Sequence, residues 1–325
     1  MKEIMDNYLP PKNSHPLSFG DKERLCELHF FECQQQFGEF WHICTPGNLC
    51  EVLFTKPEDY RFGISNMAIS SAEAGLTIFT DAIMSNHIHG LAAGTKQQCF
   101  KMVESYSYRL CKYFESKGRY VSLRDFRCDE PILIDNLSSM RNEIVYINRN
   151  GFVINPAYTP FSYPWGSGYL YFNPLAKEPR AIPYENASFK EKRRLSRRRV
   201  CQMPERYLYY NGIILPESYA RIDLGERMFR DAHHYMYMLT RNVEAYSEEA
   251  KRLGDAIVLT DDELFQSARL LSEKNYGINQ PALLPPDSKI EIAKLMNRDY
   301  RATPRQIRRI FKIPEETIKQ LFPDK

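Results

Sequence analysis

Several signals that would place a protein in a broad class are missing here. The eight cysteines, at positions 26, 33, 44, 50, 99, 111, 128 and 201, contain no Cys-x-x-Cys pair and do not cluster with histidine at zinc-finger spacing. That excludes a sequence-evident zinc module and leaves reduced, packed thiols as the reading. No apolar run approaches the length of a membrane span. The opening Met1-Lys2-Glu3-Ile4-Met5-Asp6 carries both signs of charge and lacks an apolar centre, so it is not read as a signal peptide. A soluble, cytoplasmic protein with no membrane partner is the expectation. The formal net charge of +3 is too small to diagnose a nucleic-acid binder by itself.

What is present is unevenly placed. A chain of 325 residues with 43% apolar content can build two cores. Between Lys190 and Arg199 lie seven basic residues, Lys190, Lys192, Arg193, Arg194, Arg197, Arg198 and Arg199, and one acidic one. Such a patch tracks a phosphate backbone or forms a solvated linker.

The chemistry concentrates at Met84-Ser85-Asn86-His87-Ile88-His89-Gly90, which follows the short, partly β-branched run Leu76 to Met84. In a strand, residues i and i+2 share a face, so His87 and His89 point together while Ile88 anchors in the core. Two imidazoles so placed can grip one metal ion, although a bare His-apolar-His more often only packs. Downstream, Leu137, Met140, Ile144 and Ile147 recur at helical spacing. On that helix Tyr146 and Asn150 lie four apart, hence one turn from each other on one face. An amide oxygen suits a hard cation as a third ligand, and a phenol beside that cation suits a nucleophile. The plain alternative is packing, since the chain has 21 tyrosines.

Taken together these two elements resemble the HUH-type single-strand nucleases, specifically the Y1 transposases of the IS200/IS605 type and the REP-associated tyrosine transposases. Their pattern, Met-Pro-Asn-His-x-His, is matched by Met84 to His89, and their Tyr-Ile-x-x-Asn signature by Tyr146-Ile147-Asn148-Arg149-Asn150. Trp41-His42-Ile43, Gly118-Arg119, Phe126-Arg127 and Tyr163-Pro164-Trp165-Gly166-Ser167 are similar to further family marks and fall in the same order. The likeness covers about residues 38 to 172. Ser85 stands where the family has Pro, Gly90 where it has a bulkier apolar residue, and Gly151 where Pro often follows the Asn.

The resemblance implies a Mg²⁺ or Mn²⁺ ion held by His87, His89 and Asn150, with Tyr146 as the nucleophile. The activity implied is a transposase-like endonuclease and strand transferase, acting through a 5′-phosphotyrosine link. Its partner would be single-stranded, hairpin-forming DNA, and a homodimer is the candidate assembly, with the tyrosine helix completing its own site or its partner's. Two other classes compete. One is a domesticated, non-catalytic DNA-binding regulator; the other is a small-molecule metallohydrolase, against which Leu91 breaks any His-x-His-x-His triad.

The order of elements predicts an α+β sandwich, of the HUH type as the resemblance implies, whose antiparallel sheet holds the histidines centrally with helices covering one face. Helices are predicted over Asp21 to Phe37, near Ser65 to Ala74, and from the capping box Thr95-Lys96-Gln97-Gln98 to about Lys117. A strand is expected at Trp41 to Cys44 and a strand pair across Gly75 to Ala93. The domain reading is an arm and helix over 1–37, a catalytic domain over 38–185, a basic linker over 186–230 and a helical C-terminal domain over 231–325. There, capping boxes at Thr260, Ser288 and Thr303 each start a helix, and the last helices resemble a helix-turn-helix with Arg305, Arg308, Arg309 and Lys319 near DNA. Of Tyr158, Phe161, Tyr163, Trp165, Tyr169, Tyr171 and Phe172, most are expected buried and one or two free to stack on bases. The adjacent His233-His234 point about 100° apart on a helix and are assigned no metal.

Overall fold

Ser18 starts the first helix, its hydroxyl accepting the Asp21 N–H at 3.2 Å, and Asp21 adds negative charge to the first turn. This helix, α1 (Phe19–Phe37), ends at Gly38, whose φ of 98° releases the chain into β1 (Glu39–Cys44). The computed structural model describes residues 17–46, 52–124, 126–154, 158–159, 161–196, 203–240, 261–300 and 302–322. Helix α2 (Pro57–Ala74) begins eight residues before the expected Ser65. The missed start is Pro57 at the first helical turn, with the Asp59 carboxylate accepting the N–H groups of Thr55 and Lys56 at 3.1 and 3.3 Å. After Gly75 come β2 (Thr77–Ile83) and β3 (Ile88–Gly94). The Thr95 box then opens α3 (Lys96–Ser116), with the Thr95 N–H donating to Gln98 Oε1 at 2.7 Å and the Gln98 N–H to Thr95 Oγ1 at 3.3 Å. β4 (Ile132–Ile134) and α4 (Leu137–Ile154) follow.

The four strands form one antiparallel sheet in the order β2-β3-β1-β4. Cys44 pairs with His89 and His42 with Leu91, so β1 and β3 present their alternate residues together. A bulge at Phe79 inserts one residue into β2. It turns Thr80 toward α4, where its hydroxyl donates to Asn148, and Asp81 toward the opposite side, where it meets Tyr219. Helices cover both faces of the sheet, not one. Trp41, Ile43, Ile78, Ile83, Ile88 and Ala92 pack with α2 and α3, while Phe40, Phe79, Ala82, Leu91 and Ala93 pack with α1 and α4. The reason lies in the strands themselves: their residues are apolar on both sides, which demands two covers.

Tyr163 to Ser167 seals the free edge of β2. Ile83 N–H donates to Trp165 O at 2.7 Å, Gly166 bridges Ala82, and Ser167 and Asp81 exchange two hydrogen bonds at 2.9 and 3.1 Å. A Cβ on Gly166 would fall 2.3 Å from the Asp81 carbonyl oxygen, so only glycine permits this approach. The Trp165 indole stacks on Tyr60, with ring centres 4.8 Å apart.

Within the stretch 186–230, expected as a linker, the described residues fold onto the core. The stretch contains α5 (Phe189–Ser196) and, with β5 (Ile182–Pro183), β6 (Leu208–Tyr210) and β7 (Ile213–Ile214), a second small antiparallel sheet. Helices α6 (Pro216–Tyr219) and α7 (Ile222–Glu226) follow. Leu195, Tyr207, Tyr209, Ile214 and Tyr219 are buried against α2 and α3, apolar anchors that the basic composition masked. Helix α8 (Ala232–Thr240) then packs on α4.

The last four helices, α9 (Asp261–Tyr276), α10 (Pro286–Asp299), α11 (Pro304–Phe311) and α12 (Glu315–Leu321), pack mainly on one another. The Thr303 box caps α11 as its spacing predicts. Ser288 does not cap, because Pro286 already occupies the first helical position and α10 starts there. Thr260 lies outside the described residues. The chain is therefore α+β, and among the described residues no helix is long and apolar enough to cross a membrane.

Candidate functional site

The hairpin between β2 and β3 is closed by Met84 N–H on His87 O at 2.8 Å, so His87 stands just before β3 and His89 within it. The rings are 4.9 Å apart, nearly perpendicular, with His87 Nε2 3.1 Å from His89 Nε2. Each ring's other nitrogen has a neighbour. His87 Nδ1 lies 2.7 Å from Asn86 Oδ1, and His89 Nδ1 lies 3.1 Å from His42 Nε2. His42 reaches that position from β1, two residues from the partner of His89 and on the same face. Its Nδ1 is 3.0 Å from Glu143 Oε2 on α4, a close contact without hydrogen-bond alignment.

Helix α4 brings Tyr146 over the same rings. The phenol centre lies 5.6 Å from that of His89 and 6.0 Å from that of His42. Asn150 is fully buried one turn further along the helix. Sequence reasoning thus placed His87, His89 and Tyr146 in one locus. It missed His42 and Glu143. Glu143, Tyr146 and Asn150 follow i, i+3, i+7, a shared helical face that was available as a signal for the carboxylate. His42 needed the β1–β3 register, which no local pattern supplies.

The cluster is closed. His87 and His89 are 0% exposed and Tyr146 4%. The three side chains are covered by the elements around them. Among the described residues no group of three or more His, Cys, Asp or Glu side chains is set to hold a metal ion. His42 adds no ligand, because its two ring nitrogens face Glu143 and His89.

Across the sheet lies a second buried polar group. Asp81 accepts the Tyr219 hydroxyl at 2.9 Å, and its Oδ1 has no hydrogen-bond partner among the described residues. Burial pushes this carboxyl up to about 6, against the pull of its hydrogen bonds from Ser167 and Tyr219.

The candidate DNA contacts divide. Lys190, Lys192, Arg193 and Arg194 lie on α5; Lys192 Nζ donates to Glu185 O at 2.5 Å, and Arg194 shares a groove of about 370 Å³ with Arg61 and Lys117 but also Glu58 and Glu191. Arg197, Arg198 and Arg199 lie outside the described residues. Arg305, Arg308 and Arg309 are exposed on α11 and line a cleft of about 550 Å³ with Lys312. Glu315 opens α12 and pairs with Arg308 at 3.0 Å and Lys319 at 3.2 Å, so its charge is turned onto neighbouring cations. Of the aromatic group, Tyr163 and Tyr171 are buried and Phe161 is exposed.

Comparison with known proteins finds no matching family model, no matching curated relative and no matching solved structure.

Proposed function

We propose that the chain is a metal-dependent, transposase-like single-strand DNA endonuclease and strand transferase of the HUH, Y1 type, with Tyr146 as its nucleophile. The observation that carries this reading is the convergence of Tyr146 from α4 with His89 and His87 from the sheet. The same sequence marks that resemble the family supply each of these side chains.

His87 Nε2 and His89 Nε2 stand 3.1 Å apart, and imidazole nitrogens and an amide oxygen are donors that a divalent ion accepts. His87, His89 and Asn150 would hold the ion. Mg²⁺ or Mn²⁺, when bound, supplies positive charge against the charge that builds on phosphoryl oxygens. Tyr146 forms the new bond from its phenolic oxygen to phosphorus as the bond to the 3′ oxygen breaks; the phenol gives up its proton and the departing oxygen gains one. The 5′-phosphotyrosine conserves the phosphodiester, and a second 3′-hydroxyl rejoins strands by the reverse step without a nucleotide cofactor. A strand that folds as a hairpin is the proposed substrate. The α11–α12 cleft and the basic face of α5 are its proposed phosphate contacts, and a homodimer is the proposed assembly.

The test is a denaturing gel. Labelled single-stranded hairpin DNA with Mn²⁺ is expected to yield a covalent protein adduct that disappears in Tyr146→Phe while binding persists.

The burial of His87, His89 and Tyr146 favours a second reading, a non-catalytic DNA-binding regulator in which the cluster is structural. Hairpin binding with no adduct under any divalent ion selects it.

A further inference from the structure

Tyr163 touches both elements that carry the site. Its hydroxyl donates to the Ile83 carbonyl at 2.7 Å, at the last residue of β2 before the turn that leads to His87. Its ring takes the space that a side chain at Gly151 would need, because a Cβ there would fall 2.0 Å from the ring's Cγ. Gly151 is buried on α4 directly after Asn150. Glycine weakens a helix interior relative to alanine, and here it admits a ring that no other residue would. Tyr158 meets that ring edge to face, with centres 5.2 Å apart, and the Tyr163 side chain is buried. The same helix and strand are already tied once. Three residues earlier on each, the Thr80 hydroxyl donates to Asn148. A single tie fixes one point of a helix, whereas two at different heights also fix its tilt over the strand. Asn150 lies between the two ties and Tyr146 two residues before the first.

We infer that Tyr163 is a positioning residue: seated on Gly151 and bonded to Ile83, it sets the spacing between the helix that bears Tyr146 and Asn150 and the β2–β3 hairpin that bears His87 and His89. The step to catalysis rests on the function proposed above. The spacing itself is a property of the chain without metal or DNA. Ordinary contact begins at 3.4 Å, so a Cβ at position 151 drives ring and helix about 1.4 Å apart. A misplacement of about 1 Å in a reacting group costs about 100-fold in rate. Gly151, a departure from the family pattern, is thus the seat of the strut.

The experiment has an arm without DNA and an arm with it. Two variants serve both: Tyr163→Phe keeps the ring and loses the hydroxyl, and Gly151→Ala keeps the hydroxyl and crowds the ring. In the first arm, nuclear Overhauser spectra of the metal-free full chain follow the ring protons of Tyr146 and His89, whose rings meet edge to face with centres 5.6 Å apart. A cross-peak is expected in the unmodified chain and a weaker one in both folded variants. Equal cross-peaks in all three overturn the strut. Should Gly151→Ala fail to fold, Tyr163→Phe decides this arm. In the second arm, the rate of covalent adduct formation at saturating hairpin DNA with Mn²⁺ is measured beside the hairpin dissociation constant. The rate is expected to fall about 100-fold in Gly151→Ala, and in the same direction in Tyr163→Phe, with the dissociation constant unchanged. A merely destabilised fold would lower binding and rate together, and that outcome, or rates equal to the parent's in both variants, contradicts the positioning role. An unmodified chain that binds the hairpin and yields no adduct refutes the proposed function, and the cross-peak result then judges the strut by itself.

Discussion

The Tyr235 hydroxyl accepts a hydrogen bond from Asn148 Nδ2 at 3.0 Å, tying α8 to the helix that carries Tyr146. Asn148 also takes the Thr80 hydroxyl on its Oδ1, so one amide is held between the sheet and a helix that follows the second small sheet. The tyrosine helix is thereby pinned from both sides two residues beyond Tyr146. Replacing Tyr235 by Phe leaves a buried amide N–H without its acceptor, which costs about 1–3 kcal/mol. Thermal or urea unfolding of Tyr235→Phe should show that loss, and an unchanged midpoint would remove the pin from the account.

Two glycines near the site should respond unequally to alanine. A Cβ at Gly166 meets the Asp81 carbonyl oxygen at 2.3 Å and the Ala82 Cα at 2.9 Å, both backbone atoms that cannot swing aside. Gly166→Ala is expected to cost about 1–3 kcal/mol by forcing the edge segment off β2. At Gly90 an added Cβ meets nothing within 4 Å, so Gly90→Ala should be close to neutral. Paired unfolding curves decide it; equal losses would contradict the edge-seal geometry.

Asp81 sets a pH dependence of definite sign. Its folded value, raised by burial to about 6 from the ordinary 3.8, means that the neutral carboxyl is the form the fold prefers. Its contribution is fully present below the unfolded value and is lost as pH rises through about 6. Stability from this group should therefore be greater at pH 5 than at pH 7.5. Asp81→Asn, which keeps an oxygen for the Tyr219 hydroxyl, should flatten the profile across that window and raise the midpoint at pH 7.5. A profile identical to that of the unmodified chain would show that Asp81 does not titrate there.

Much of the fold was legible because local chemistry dictated it. The Thr95 and Thr303 boxes, the strand expected at Trp41 to Cys44 and the stripe Met140, Ile144, Ile147 each act within a few residues. The residues that escaped depend on distant partners. His42 gains its meaning only when β1 pairs with β3, and Tyr207, Tyr209 and Tyr219 reveal a packed segment only once α2 supplies the surface they cover. Period two gave the shared face of His87 and His89 and period 3.6 that of Tyr146 and Asn150, while the meeting of the two elements was an expectation of the family resemblance. The burial of these side chains was not legible, since periodicity gives a side chain's direction and not what lies over it.

The α11 arginines offer a separate test of DNA binding. Arg305, Arg308 and Arg309 share one cleft. Removing a cation that neutralises a phosphate lowers both the affinity and the steepness of its salt dependence, by about one in slope for each such cation. The triple alanine variant should bind hairpin DNA more weakly with a slope reduced by up to about three. A slope unchanged from the parent would take α11 out of the interface.

The central claim, that Tyr146 becomes covalently joined to DNA, is tested most directly by mass spectrometry. After reaction with single-stranded hairpin DNA and Mn²⁺, trypsin and nuclease digestion would release the peptide Asn142–Arg149, in which Tyr146 is the one tyrosine. The account expects that peptide to carry a nucleotide through a 5′-phosphate on Tyr146. A modified tyrosine elsewhere, or the unmodified peptide alone under conditions where the DNA is cut, would contradict it.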